Sequence, residues 1–190
     1  MNIYFCGMIG SGKTAIGELL AEKLKWSFFD LDREMDRELG RSFHDLVREK
    51  GWLAFRELEY KICKRFSRME RTVIALGGGT VRYEWNTDIL RGTGTMILLE
   101  SNLPTLAARV RKADRPRVNP GVSLEEDLER IWSSAADLYR GCADIIYYVD
   151  QGKSVPEEME DIYNLLQVRK YSPQRAQRTQ RKNLPKGKRS

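Results

Sequence analysis

No stretch of the 190 residues approaches the roughly 20 consecutive apolar side chains that a membrane span requires. The expectation is a protein without membrane attachment. Cysteine is scarce, and Cys6, Cys63 and Cys142 lack the paired spacing of a metal site. They are read as reduced, mostly buried small hydrophobes. No cleavable leader precedes the first strand-like run, so the expected location is cytoplasmic. Internal repeats and interdomain linkers are also missing, and the length suits one domain with a substantial core, since about 150 residues already bury about 68–70% of their unfolded surface. Acidic residues are absent from 169–190, where nine Lys/Arg fall, leaving 24 Lys/Arg against 27 Asp/Glu in residues 1–168. The formal net charge of +6 is therefore a property of the tail. With almost no apolar residues, 169–190 is expected to be disordered. No specific nucleic-acid partner is expected; a weak, salt-sensitive contact with nucleic acid or an acidic partner stays open for the tail.

What is present begins at the first residues. A strand-like run, Asn2-Ile3-Tyr4-Phe5-Cys6, breaks into Gly7-Met8-Ile9-Gly10-Ser11-Gly12-Lys13-Thr14, which satisfies G-x-x-x-x-G-K-[ST] between a strand and a helix. That pattern in that context is a phosphate-binding loop. Its glycines let backbone N–H groups converge on phosphate oxygens, Lys13 reaches the β- and γ-phosphates, and the Thr14 hydroxyl is placed on Mg²⁺. Gly10, Ser11, Gly12, Lys13, Thr14 and Ala15 form the expected nucleotide-binding set, with ATP and Mg²⁺ as the expected cofactors. A helix over Lys13–Leu24 turns its positive N-terminal end to the same phosphates.

Further along, strand and helix signals alternate. Strands are expected at Asn2–Cys6, Ser27–Asp30, Thr72–Leu76, Gly94–Leu99 and Ile145–Val149. Helices are expected at Ser42–Glu49, Trp52–Arg68, Asn86–Arg91, Pro104–Lys112, Ser123–Arg140 and Pro156–Val168. Short β-rich runs separated by helices predict an α/β fold with a central parallel sheet flanked by helices, a three-layer phosphate-loop architecture. Residues 111–121, with Pro116, Pro120 and several charges, read as an irregular loop that would act as a lid and exclude water from the transferring phosphate.

Phe28-Phe29-Asp30-Leu31-Asp32 puts two carboxylates at the end of the second strand, the edge at which open α/β sheets bind ligands. While the strand persists they point the same way, one toward a metal and one toward an attacking hydroxyl. Helix capping by Asp30, with Asp32 on a solvated surface, is the plainer alternative. Three other features favour a site. Arg56 interrupts an amphipathic pattern in Phe55-Arg56-Glu57-Leu58-Glu59, the apolar strand at 73–76 runs into Gly77-Gly78-Gly79, and Arg115 sits in the lid within Asp114-Arg115-Pro116. Bare glycine backbone permits close approach of a ligand, and arginines bind carboxylates bidentately or stabilise a transferring phosphoryl group.

From residue 1 to about 168 the chain resembles the shikimate kinases, with the same motifs in the same order. These are the phosphate loop, the Asp-x-Asp, Gly40-Arg41-Ser42-Phe43, Phe55–Glu59, a strand into three glycines, and an Arg-Pro lid. The resemblance implies a kinase domain over 1–168 that transfers phosphate from ATP to a hydroxyl of shikimate, a step of aromatic amino-acid biosynthesis. It implies Lys13, Asp32 and Arg115 as catalytic residues, Asp32 as the base, and Thr14 with the more distant Asp30 serving Mg²⁺. It further implies that Arg56 and Gly77–Gly79 bind the substrate with Asp32, that Arg109 and Gln151 lie near adenine, and that Arg115 touches the phosphate. A small hydroxylated acid is the expected partner, and a monomer the expected state.

One position departs from the pattern. Where the family carries a second carboxylate-binding arginine in an Arg-x-Pro-Leu-Tyr-like segment, this chain has Ala135-Ala136-Asp137-Leu138-Tyr139. Loss of one arm of a charged clamp costs about 1.5–3 kcal/mol per hydrogen bond. Arg130 and Arg140 lie five residues to either side, about 140° round the helix, so neither replaces it directly, which leaves a tail or lid arginine such as Arg117. Two alternatives follow from the departure: a divergent kinase of another small hydroxylated metabolite, or a non-catalytic, nucleotide-responsive binding protein.

Overall fold

The computed structural model describes residues 1–111, 119, 121–150 and 152–170. Five strands, β1 (Asn2–Cys6), β2 (Ser27–Asp30), β3 (Thr72–Ala75), β4 (Gly94–Glu100) and β5 (Ile145–Tyr148), form one sheet in the order β2-β3-β1-β4-β5. Every neighbouring pair is parallel. Parallel neighbours need crossover connections, and the helices that supply them cover both faces. These are α1 (Lys13–Leu24), α2 (Leu31–Leu39), α3 (Phe43–Phe66), α4 (Glu84–Leu90), α5 (Leu103–Val110), α6 (Leu124–Cys142) and α7 (Val155–Lys170), with a 3-10 turn at Thr80–Arg82. The α/β three-layer expectation holds.

The period-2 alternation of β1 decides which helix meets which face. Ile3 and Phe5 pack with Ile16 and Leu20 of α1 and Ile162 of α7, whereas Tyr4 and Cys6 point to the opposite layer, with Leu31 and Met35 of α2, Ile62 and Phe66 of α3, and Tyr139 of α6. All are buried. Each fully buried aliphatic or Phe side chain adds about 1.5–3 kcal/mol relative to exposure, so the central strand is anchored from both sides. The loops at its carboxyl edge therefore start from fixed points.

Several boundaries differ from the sequence reading. β3 and β5 each stop one residue early, at Ala75 and Tyr148, and β4 runs on to Glu100. The two helices expected at Ser42–Glu49 and Trp52–Arg68 do form, as the two parts of α3, and they part at Gly51 with φ 77° and ψ 179°, between the expected spans. That left-handed backbone is open to glycine without steric cost, which explains both the break and its place. Helix α2 is the helix that the capping alternative for Asp30 implies; its sequence is dominated by charge, and only Leu31, Met35 and Leu39 give it an apolar stripe, spaced i, i+4, i+8. All three cysteines are free, Cys6 and Cys63 buried and Cys142 half-buried. Among the described residues no helix is long and apolar enough to cross a membrane.

Candidate active site

Three loops leave the carboxyl edge of β1, β2 and β3 and converge on one cavity of about 790 Å³, within the size range of small-molecule sites. The first is the phosphate loop. Gly12 adopts φ 94° immediately before α1, and no side chain caps that helix, so its N-terminal end opens on the cavity. Lys13 folds back over the loop, its Nζ donating to the Gly7 carbonyl at 2.9 Å, the Met8 carbonyl at 2.8 Å and Ser11 Oγ at 3.3 Å. The ammonium is thereby held at the centre of the ring of backbone that a phosphate would occupy.

The second loop corrects the strand-based reading of the two aspartates. β2 ends at Asp30, and Asp32 belongs to the first turn of α2. Asp30 caps that helix, its Oδ1 accepting from the N–H of Asp32 at 3.0 Å and of Arg33 at 3.2 Å. Its other oxygen accepts from the Thr14 hydroxyl at 2.6 Å. Capping and cavity roles are combined in one side chain. Thr14 Oγ1 and Asp30 Oδ2 together are a pair of hard oxygens, and among the described residues no cluster of three His, Cys, Asp or Glu exists. Such a donor set fits Mg²⁺, which is held by one or two protein oxygens and substrate phosphates, better than a metal needing an all-protein cage.

The third loop is Gly77-Gly78-Gly79. A Cβ on Gly77 would stand 3.2 Å from Asp32 Oδ1 and 3.0 Å from Thr80 Oγ1, so any larger residue would push the Asp32 carboxylate or the Thr80 hydroxyl from its place. Behind it lies a buried ion pair. Glu59 is fully buried and accepts from Arg56 Nη1 at 2.7 Å, Thr80 Oγ1 at 2.7 Å and Asn86 Nδ2 at 3.0 Å. Arg56 is fixed as a result: its guanidinium stacks 4.3 Å from the Tyr83 ring and meets Gly79, while its buried Nε finds no acceptor among the described residues. A donor so placed suits an anionic group in the cavity.

From the far wall, Tyr139 of α6 donates its hydroxyl to the Gly78 carbonyl, pinning the glycine loop to that helix. Burial pushes its phenol well up, against the opposing pull of the Arg82 and Arg56 charges. Tyr139 therefore stays a neutral donor.

Replacing Glu59 with alanine is expected to lower the unfolding free energy by about 3–5 kcal/mol, the range for removing one partner of a buried pair. The side chains of Arg56 and Glu59 are 11% and 1% exposed, so the orphaned guanidinium has little access to water. Urea denaturation measures this, and a loss under about 1 kcal/mol would show that the pair is not structurally buried.

The structure thus brings Gly10, Gly12, Lys13, Thr14, Ala15, Asp30, Asp32, Arg56 and Gly77–Gly79 to one cavity. Ser11 lies within the loop beneath Lys13. Arg109 stands beside it, donating to the Gly10 carbonyl at 3.1 Å with Asp150 at 3.6 Å. Arg115, Arg117 and Gln151 lie outside the described residues. Arg130 and Arg140 are engaged elsewhere, with Glu126 and Glu100. Ala135 is 2% exposed and packs in the core cluster. Arg82, which the sequence reading passed over, lines the cavity. Its one signal in the sequence is an arginine three residues past the glycine triplet.

Comparison with known proteins matches this arrangement to a family. The model of the family described as shikimate kinase matches residues 9–167. The chain belongs to the shikimate kinase family. It is 34% identical over 158 residues to the shikimate kinase of Chlorobaculum tepidum, covering 80% of this chain and 83% of that one. It is also 43% identical over 135 residues to that of Chloroherpeton thalassium, covering 68% and 72%. Among solved structures, shikimate kinase from Acinetobacter baumannii in complex with shikimate superposes with a TM-score of 0.84 at 28% identity, covering 90% of this chain and 95% of that one. As a shikimate kinase family member it is a phosphotransferase with a hydroxyl as acceptor.

Proposed function

We propose that this protein transfers the γ-phosphate of ATP to a hydroxyl of shikimate. The observation that carries the reading is the sharing of one cavity by the phosphate loop, Asp32 and Arg56. Reaction requires a phosphoryl donor, a deprotonated hydroxyl and a means of orienting the acceptor, and these three groups supply them. The loop N–H groups and Lys13 bind the β- and γ-phosphates. Asp32, held against Gly77, accepts the proton of the attacking hydroxyl as the new O–P bond forms and the bond to the β-phosphate oxygen breaks. Arg56 orients the acceptor by its carboxylate. Mg²⁺ at Thr14 and Asp30 supplies neutralisation of phosphate charge when bound. Arg115 is assigned to the transferring phosphate, and Arg109 and Gln151 to the adenine; the enzyme works as a cytoplasmic monomer.

A panel of small hydroxylated acids, assayed by coupled detection of ADP, tests the assignment. Shikimate is expected to give the highest kcat/KM. A higher value for another acid would move the protein to a different acceptor, and ADP release indifferent to every acid would leave it a nucleotide-binding protein.

A further inference from the structure

Three arginines, Arg56, Arg82 and Arg111, line the cavity. Arg56 is paired with Glu59, whose two oxygens are already occupied by Arg56, Thr80 and Asn86. Arg111 is paired with Glu125. Arg82 is different: it lines the same cavity, half-buried, and pairs with no carboxylate among the described residues.

Its position is fixed by short-range structure. Arg82 closes the 3-10 turn, its N–H donating to the Gly79 carbonyl at 3.1 Å, and Gly79 is the residue against which the Arg56 guanidinium rests. The turn packs on α6, to which the Tyr139–Gly78 hydrogen bond also ties it. Both guanidinium charges act on the Tyr139 phenol. Arg56 and Arg82 thus line the same cavity, and both charges reach the Tyr139 hydroxyl that is bonded to the glycine loop. The helix that faces them offers no cation there, because Ala135, one turn before Tyr139, presents only a buried methyl.

We propose that Arg82 is the second arm of the carboxylate clamp, gripping the acceptor's carboxylate together with Arg56 from the glycine loop and not from α6. The inference rests on the reading of the acceptor as shikimate, a carboxylic acid. It makes Arg82 a specificity-determining residue that selects acids over neutral polyols.

Arg82→Met in the full chain tests it by steady-state kinetics. The KM for shikimate is expected to rise about 10- to 100-fold, the loss that follows removal of a hydrogen bond to a charged group. Because the phosphate loop and Asp32 are untouched, kcat and the KM for ATP are expected to stay within about twofold. Arg82→Lys keeps the charge and is expected to recover part of the affinity, and it serves as the second variant should methionine disturb the turn. With the methyl ester of shikimate the unaltered protein and Arg82→Met are expected to show the same KM. An unchanged shikimate KM in Arg82→Met, or an equal rise for acid and ester, overturns the clamp while leaving the kinase reading intact. Absence of shikimate turnover in the unaltered protein overturns the kinase reading and the clamp with it.

Discussion

Asp32→Asn is expected to reduce kcat about 10²–10⁴-fold, the contribution of a positioned general base, with the KM for ATP nearly unchanged. The amide matches the carboxylate in size, so it fits against Gly77, where a Cβ would stand 3.2 Å from Oδ1. It has no lone pair basic enough to take the proton of the attacking hydroxyl. The phosphate loop is built on β1 and α1, elements that the substitution does not touch. A collapse of ATP affinity instead would place Asp32 in the metal or nucleotide shell, and a near-normal kcat would remove it from proton transfer altogether.

Lys13→Ala is expected to reduce turnover at least about 10²–10³-fold, the cost of losing one preorganised donor to developing charge, while circular dichroism and melting remain close to those of the unaltered protein. The contrast comes from what the side chain touches. Its ammonium bonds to the Gly7 and Met8 carbonyls and Ser11 Oγ, all within the loop. The core around that loop is made by Phe5, Ile16 and Leu20, which the substitution spares. Near-normal kcat would exclude the loop from the chemistry, whereas global unfolding would mean that the Lys13 hydrogen bonds hold the fold.

The parts of the site legible in the sequence are those written in consecutive residues. The phosphate loop needs only the order Gly7 to Thr14, and the glycine triplet only its place after an apolar strand. Asp30 and Asp32 were legible as a pair but not in their geometry, since β2 ends at Asp30 and a helix cap turns the backbone there. Helix α2 was legible only through the possible Asp30 cap, because six of its nine residues are charged and its burial depends on α3 packing against it. Arg82 was hidden for a related reason. Its meaning lies in sharing one cavity with Arg56 of α3 and Tyr139 of α6, a juxtaposition made by three separate segments of chain. Conversely, the expectation that Arg130 and Arg140 do not replace the missing arginine follows from helical spacing alone, and their partners Glu126 and Glu100 agree with it.

The most direct test is a crystal structure of the protein with ADP, Mg²⁺ and shikimate. The account predicts the β-phosphate in the loop around Lys13, a shikimate hydroxyl within hydrogen-bond distance of Asp32 and turned toward that phosphate, and the carboxylate between Arg56 and Arg82. Shikimate bound with its carboxylate toward the phosphate loop, or with no hydroxyl on Asp32, would contradict it.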